Sequence, residues 1–125
     1  MYRQALDEIR IPLFALDLAG KLALVNSAGD ALIRAQRWVK TPGNALVASR
    51  GLMAADAFRE ALIQLKRGRG TSLLLTDGVS RAQAVMTTAP LAGPSPIQVA
   101  NRRIAGFVWI MPCADQHTPG IHCHH

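Results

Sequence analysis

Residues 13–26 read LFALDLAGKLALVN, two short apolar runs joined by a polar turn. Gly20 can adopt the positive φ of a tight hairpin turn at little cost. The Asp17 carboxylate can accept hydrogen bonds from the backbone N–H groups of that turn. Asn26 is a favoured N-cap residue, so it can start a helix directly after the second apolar run. The stretch therefore predicts an opening of strand, turn, strand and helix.

The remaining elements follow from hydrophobic periodicity and from the positions of glycine and proline. Residues 27–39 and 56–67 carry apolar side chains at helical spacing. Residues 71–76, 81–88 and 104–111 are typical of strands. The segment between the two helices is rich in turn residues and predicts short turns or a very short hairpin.

The order of elements is two strands, a helix, a turn-rich segment, a second helix and three strands. This order predicts an α+β domain in which the helices cover one face of an antiparallel sheet. The last strand is apolar throughout, so we expect it in the middle of the sheet beside the first strand. We therefore predict five strands in the spatial order 2-1-5-4-3.

The chain length of 125 residues predicts one domain, which we place at residues 12–112. Residues 1–11 predict an N-terminal helix, and residues 113–125 predict a flexible tail because they lack periodicity. The helix is interpreted either as a cap on the domain or as a contact that forms a homodimer. Its apolar face consists of Tyr2, Leu6 and Ile9.

The composition argues against secretion and membrane insertion. No apolar run is long enough to cross a bilayer, and the charged N-terminus does not resemble a secretion signal. Both cysteines lie near the C-terminus, so we expect no disulfide framework in the body of the domain. These observations predict a cytoplasmic protein with no membrane partner.

The formal net charge of +6 suits a nucleic-acid or other anionic partner, but its distribution favours a simpler interpretation. The basic residues cluster where the two predicted helices end, and cations there complement the helix dipole. Aromatic and basic residues do not interleave in the way that favours base stacking. We therefore interpret these residues as solvated helix ends. They are Arg34, Arg37, Lys40, Lys66, Arg67 and Arg69.

Catalytic and metal chemistry has little support in the sequence. Residues 1–112 contain neither histidine nor cysteine, so a nucleophilic triad based on either cannot be built there. The tail ends in His-Cys-His-His, and adjacent donors rarely turn toward one ion, so we predict no metal site. Asp17, Asp56 and Asp77 have structural explanations in turns or at a helix start. We therefore predict no catalytic residue and no enzyme.

The opening stretch resembles the start of a PAS sensor domain. That family shows a strand, an Asp-x-x-Gly turn, a strand and Asn-x-Ala at the start of a helix. The matching residues here are Asp17, Gly20, Asn26 and Ala28. Residues 61–68, ALIQLKRG, followed by three strands are similar to the same family. The resemblance covers residues 11–112.

Residues 43–62, GNALVASRGLMAADAFREAL, resemble PAS domains that precede a LuxR-type helix-turn-helix in bacterial transcription regulators. This resemblance implies a regulatory domain that binds a small molecule and signals to a DNA-binding output module outside this chain. It implies contact with DNA only through that module. Haem-binding PAS domains typically use a helix histidine and photochemical flavin-binding ones a cysteine, so neither haem nor covalent flavin is expected here.

The resemblance also implies a cavity between the sheet and the helices that holds a small, largely apolar ligand. Methionine is a flexible gap-filler, and a threonine could orient a ligand. The candidate ligand-binding residues are Trp38, Met53, Phe58, Leu62, Met86, Thr88, Trp109 and Met111.

Two alternatives to a ligand sensor remain open at this point. The candidate residues could equally form plain core, in a dimerisation module that binds no ligand. A small, cone-shaped isomerase-like enzyme is the second alternative. It would need a buried acid with a tyrosine or a second acid near it, and the single tyrosine, Tyr2, lies outside the predicted core.

Overall fold

The computed structural model describes residues 10–91, 98–99 and 102–113. The predicted N-terminal helix and tail therefore lie almost wholly outside the described residues. In chain order the elements are β1 (Leu13–Asp17), β2 (Leu22–Val25), α1 (Ser27–Ala35), β3 (Val39–Lys40), a short 3-10 helix (Pro42–Asn44), β4 (Val47–Ala48), β5 (Leu52–Met53), α2 (Ala55–Lys66), β6 (Thr71–Asp77), β7 (Gln83–Pro90), β8 (Gln98–Val99) and β9 (Arg102–Pro112).

The main sheet is antiparallel, and its hydrogen-bonded order is β2-β1-β9-β7-β6-β5, with β8 paired to β9 off this path. The predicted five-stranded sheet in the order 2-1-5-4-3 is wrong. The difference arises at β5, where Leu52 and Met53 pair with Asp77 and Thr76 and add a strand at the edge. A strand of two residues carries too little alternation to be recognised in the sequence.

β9 lies between β1 and β7, as expected for the most apolar strand. Gly106 in this strand is buried under α2. A Cβ atom at Gly106 would lie 2.6 Å from the Ala89 carbonyl oxygen and 2.7 Å from Cδ1 of Leu65. Because Leu65 belongs to α2, the missing side chain at Gly106 allows the helix to pack closely on the central strand.

The core lies between the sheet and the two helices. Alternate residues of the strands point into it, where side chains of α2 and partly buried side chains of α1 cover them. The largest fully buried side chains include Phe14, Phe58, Met86, Val108 and Ile110. Both helices therefore pack on the same face of the sheet.

The turn between β1 and β2 forms as the sequence predicts. Oδ1 of Asp17 accepts hydrogen bonds from the backbone N–H groups of Ala19 at 2.9 Å and Lys21 at 3.0 Å. Gly20 adopts a φ of 81°, which a residue with a side chain rarely adopts. The Asp17 carboxylate therefore has a structural role.

Asn26 joins the start of α1 to the start of β1. Its Oδ1 accepts hydrogen bonds from the backbone N–H groups of Gly29 at 2.8 Å and Leu13 at 3.0 Å. Its Nδ2 donates to the Ile11 carbonyl oxygen at 2.8 Å. The residue is 1 % exposed, so water cannot replace these partners.

α1 ends at Ala35, although the sequence predicts a helix to residue 39. Gln36 adopts a left-handed φ of 51° and its N–H group closes the last turn on the Ile33 carbonyl oxygen. Trp38 also has a positive φ, 66°, and its Nε1 donates to the Ala82 carbonyl oxygen at 3.0 Å. The buried indole is therefore positioned by a distant partner that local periodicity does not reveal.

Asp77 organises the turn between β6 and β7. Its Oδ1 accepts a hydrogen bond from the backbone N–H of Val79 at 2.9 Å and a longer one, 3.5 Å, from Ser80. The Val79 hydrogen bond is the main cause that holds the pKa of Asp77 below its ordinary value. Ser80 and the positive charge of Arg37 act in the same direction, whereas desolvation opposes them.

The depressed pKa of Asp77 makes the stability of the domain depend on acid pH. A carboxyl whose folded pKa lies below its unfolded value of about 3.9 stabilises the fold above that pH, and this contribution disappears as the pH falls through the folded pKa. Asp77→Asn is therefore expected to lose less stability than the wild type between about pH 5 and about pH 3. Urea unfolding at both pH values measures the difference. Asp56→Asn, at a side chain that is 95 % exposed, is the control. If the wild type and Asp77→Asn lose equal stability between the two pH values, the prediction is contradicted.

Candidate functional site

A groove of about 290 Å³ lies between α2 and the segment that contains β4. Leu46, Val47, Ala48 and Ser49 form the wall on the strand side. Ala55, Phe58, Arg59 and Leu62 form the wall on the helix side. Six of these eight residues are apolar, so the groove is a mainly hydrophobic surface with two polar positions.

The helix wall follows directly from helical spacing. Residues 55, 58, 59 and 62 are related as i, i+3, i+4 and i+7, which places them on one face of a helix. Phe58 is 1 % exposed and fixes this face against the core. The first turn of α2 lies at the groove, and its N-cap residue, Ala54, supplies no side-chain hydrogen bond to the helix.

The strand wall is supported by a hairpin and by backbone hydrogen bonds at both ends. β4 pairs with β3 through Val39 opposite Ala48 and Lys40 opposite Val47. Ahead of β4, the Leu46 N–H donates to the Gly20 carbonyl oxygen, and after it the Ser49 N–H donates to the Trp38 carbonyl oxygen at 2.9 Å. Turns distant in sequence thus hold this wall opposite α2.

Ser49 and Arg59 are the two polar side chains of the groove. Ser49 is 6 % exposed, and its hydroxyl makes no hydrogen bond with another of the described residues. Arg59 lies 3.6 Å from a carboxylate oxygen of Asp56, and the two side chains are 73 % and 95 % exposed. An ion pair so accessible to water contributes little, so the guanidinium can exchange partners.

Five of the predicted ligand-binding residues divide between the groove and the core. Phe58 and Leu62 line the groove. Trp38, Met86 and Thr88 are buried in the packed interior away from it, with at most 3 % of their surface exposed. The Thr88 hydroxyl accepts a hydrogen bond from the Thr71 N–H at 2.8 Å, which explains its burial without a ligand.

The other three predicted residues do not reach the groove. Met53 is in the edge strand β5 and Met111 is near the end of β9, and each is 50 % exposed. Trp109 is half-buried between the fully buried Val108 and Ile110, so strand alternation places it on the opposite face of the sheet. Helical and strand spacing alone did not indicate which sheet face the helices cover.

A second, smaller hollow of about 210 Å³ lies at the other end of α2. Leu65, Leu91 and Ile104 contribute apolar surface to it, and Lys66 and Arg103 contribute positive charge. Both cations are exposed. Lys66 lies in the last turn of α2, where a cation complements the helix dipole. This position gives the charge a structural explanation.

The described residues contain no cluster of three or more histidine, cysteine, aspartate or glutamate side chains that could hold a metal ion. The histidines of the C-terminal tail lie outside those residues. Cys113 follows β9 and is disulfide-bonded. Within the same described ranges, no helix has the length and apolar character needed to cross a membrane.

Comparison with known proteins finds a likeness in structure. No protein-family model matches the chain, and no curated protein is significantly similar to it. The sensor region of a sensor histidine kinase is similar in structure, with a TM-score of 0.56 and 20 % sequence identity. The chain shares the fold of that sensor region. The match covers 81 % of this chain and 38 % of the other, so this chain spans well under half the length of its structural neighbour.

Proposed function

We propose that this domain senses a small, largely apolar molecule, which binds in the groove between α2 and β4. The groove itself is the observation that carries the proposal. Small-molecule sites are concave and mostly apolar, with a few polar groups that orient the ligand, and they range from about 300 to 1,000 Å³. The volume of about 290 Å³ favours a ligand at the small end of that range.

The two walls of the groove suit a sensory role because they belong to different parts of the structure. One wall is a long helix packed on the sheet, and the other is a segment with a two-residue strand. A ligand that contacts both walls favours the arrangement in which they lie at the correct distance. A sensor responds in this way when its ligand binds one arrangement better than another.

We further propose that the domain is of the PAS type and serves a LuxR-type bacterial transcription regulator. Support comes from the Asp17, Gly20 and Asn26 pattern and from residues 43–62, which contribute both walls of the groove. Similarity to the fold of a kinase sensor region also supports a sensory role. DNA contact would belong to an output module outside this chain, and we propose no membrane partner and no enzymatic activity.

A bulky side chain in the groove is expected to weaken ligand binding. In a thermal-shift screen of a metabolite library, at least one compound should raise the melting temperature of the wild type. Ala55→Leu fills the helix side of the groove and should weaken binding of that compound about tenfold or more. Ala57→Leu makes the same change two residues away, at an exposed position of α2 that does not line the groove, and should bind normally.

The screen also separates the proposal from a dimerisation module without a ligand. If no compound stabilises the wild type, or if binding shifts no backbone amide signals in residues 46–49 and 55–62, sensing through this groove is excluded. The dimerisation alternative depends on Tyr2, Leu6 and Ile9, which lie outside the described residues. That alternative expects a homodimer whose stability is unaffected by every compound in the library.

A further inference from the structure

We infer that the molecule bound in the groove carries a carboxylate, which Arg59 and the Ser49 hydroxyl hold in the groove. The inference rests on the proposed function, because it names the chemical class of the ligand for the same groove. Three features of the groove carry it: the position of Arg59, the unpaired hydroxyl of Ser49 and the uncapped first turn of α2.

Arg59 lies on the face of α2 that lines the groove, and the other residues of that face are apolar. It follows Ala55 by four residues and precedes Leu62 by three, so the three side chains share one face of α2. Its methylene stem can cover apolar surface while the guanidinium stays at the mouth of the groove. A guanidinium presents parallel N–H donors that match the two oxygens of a carboxylate.

Arg59 is free to accept a new anionic partner. Its contact with Asp56 is 3.6 Å long and lies in solvent, where such pairs contribute little. Glu60 is engaged elsewhere, because its carboxylate accepts a hydrogen bond from Nε2 of Gln64 at 2.6 Å. No acidic side chain is among the residues that line the groove, so nothing in its walls repels a carboxylate.

Ser49 supplies a hydroxyl that has no partner among the described residues. The residue is 94 % buried, since 6 % of its surface is exposed. No fully buried side-chain oxygen or nitrogen in the described part of the chain lacks a hydrogen bond, so this hydroxyl is open to the groove rather than sealed. A carboxylate oxygen can accept its proton.

The start of α2 adds favourable electrostatics to the groove. A helix N-terminus carries a partial positive charge and backbone N–H groups without helical partners. The N-cap residue here is Ala54, which offers no side-chain acceptor to them. Ala55, the first residue of α2, lines the groove. An anion in the groove therefore lies close to that partial charge.

Three six-carbon probes of different charge test the inference directly. Hexanoate, hexanamide and hexylamine have similar shapes and are negative, neutral and positive at about pH 7. Titration followed by backbone amide NMR signals should show hexanoate binding about three- to tenfold more tightly than hexanamide. Hexylamine should bind most weakly. The shifted signals should include those of Ser49, Ala55 and Phe58.

Variants of Arg59 test whether its guanidinium causes the preference for hexanoate. Arg59→Gln should reduce the affinity for hexanoate to that for hexanamide, and Arg59→Glu should make hexylamine the preferred probe. Arg59→Lys keeps the charge and should retain part of the preference. Arg34→Gln is the matched control, because Arg34 also pairs with an acid one turn away, is 80 % exposed and lies on α1.

The outcomes separate this inference from the proposed function. Equal affinity for hexanoate and hexanamide, or an undiminished preference for hexanoate in Arg59→Gln, overturns the inference that the ligand carries a carboxylate. Either result leaves the proposed sensory function unaffected. Hexanoate that shifts the signals of Leu18, Lys66 and Leu91 instead binds the second hollow and overturns the inference. The inference also fails if none of the three probes binds while an uncharged library compound occupies the groove. Failure of the whole library overturns the proposed function itself.

Discussion

Replacing Gly106 with alanine is expected to lower the free energy of unfolding by about 3 kcal/mol, near the upper end of the usual cost of overpacking a core. The new Cβ would lie 2.6 Å from the Ala89 carbonyl oxygen and 3.0 Å from the Cα of Pro90, and both atoms belong to the neighbouring strand. It would also lie 2.7 Å from Cδ1 of Leu65, so that side chain would have to shift as well as the neighbouring strand. Urea unfolding monitored by circular dichroism measures the loss.

Gly43→Ala is the matched control for this change. Gly43 has a φ of 59°, but nothing lies within 4 Å of the position that a Cβ would occupy. Only the cost of a left-handed backbone remains, about 1 kcal/mol. If the two alanine variants lose equal stability, close packing at Gly106 is not what the central strand requires.

Replacing Asn26 with alanine is expected to cost about 3 kcal/mol as well. The loss of an N-cap side chain costs about 1 kcal/mol, and each additional backbone group left without its partner in the interior costs at least as much. The affected groups include the N–H groups of Gly29 and Leu13 and the carbonyl oxygen of Ile11. Urea unfolding measures the change, and the amide of Gly29 should also exchange faster with solvent.

Asn44→Gly provides the comparison for Asn26. Nδ2 of Asn44 donates a single hydrogen bond to the Leu22 carbonyl oxygen at 2.9 Å, and the residue is exposed. Glycine tolerates its φ of 66°, so the variant isolates the loss of one accessible hydrogen bond, about 1 kcal/mol or less. A loss at Asn26 no greater than this would show that the buried network does not hold β1 to α1.

The parts of the fold that could be predicted are those set by near neighbours in the chain. Asp17 and Gly20 complete their turn within five residues, and Asn26 caps the helix that follows it. The helix end at Ala35 and the extra strand β5 could not be predicted in this way. Trp38 takes its partner from Ala82, and Leu52 pairs with Asp77, so both depend on residues far along the chain.

The candidate site was predictable only on its helix side. Phe58 and Leu62 belong to a regular apolar face of the helix. Helical spacing also puts Ala55 and Arg59 on that face, but a charged residue does not fit an apolar pattern. The strand side has no comparable periodicity. Ser49 reaches the groove because a hairpin and distant backbone hydrogen bonds hold its segment opposite α2. No local pattern encodes that position.

The close approach of Leu65 to Gly106 also separates two tasks along the length of α2. This contact is near the C-terminal end of the helix, whereas Ala55 and Arg59 lie near its N-terminal end. Ten residues of helix separate Ala55 from Leu65, an arm of about 15 Å. Ligand contacts at Ala55 and helix packing at Leu65 are therefore made nearly three helical turns apart, and the buried Phe58 and Ala61 lie between them.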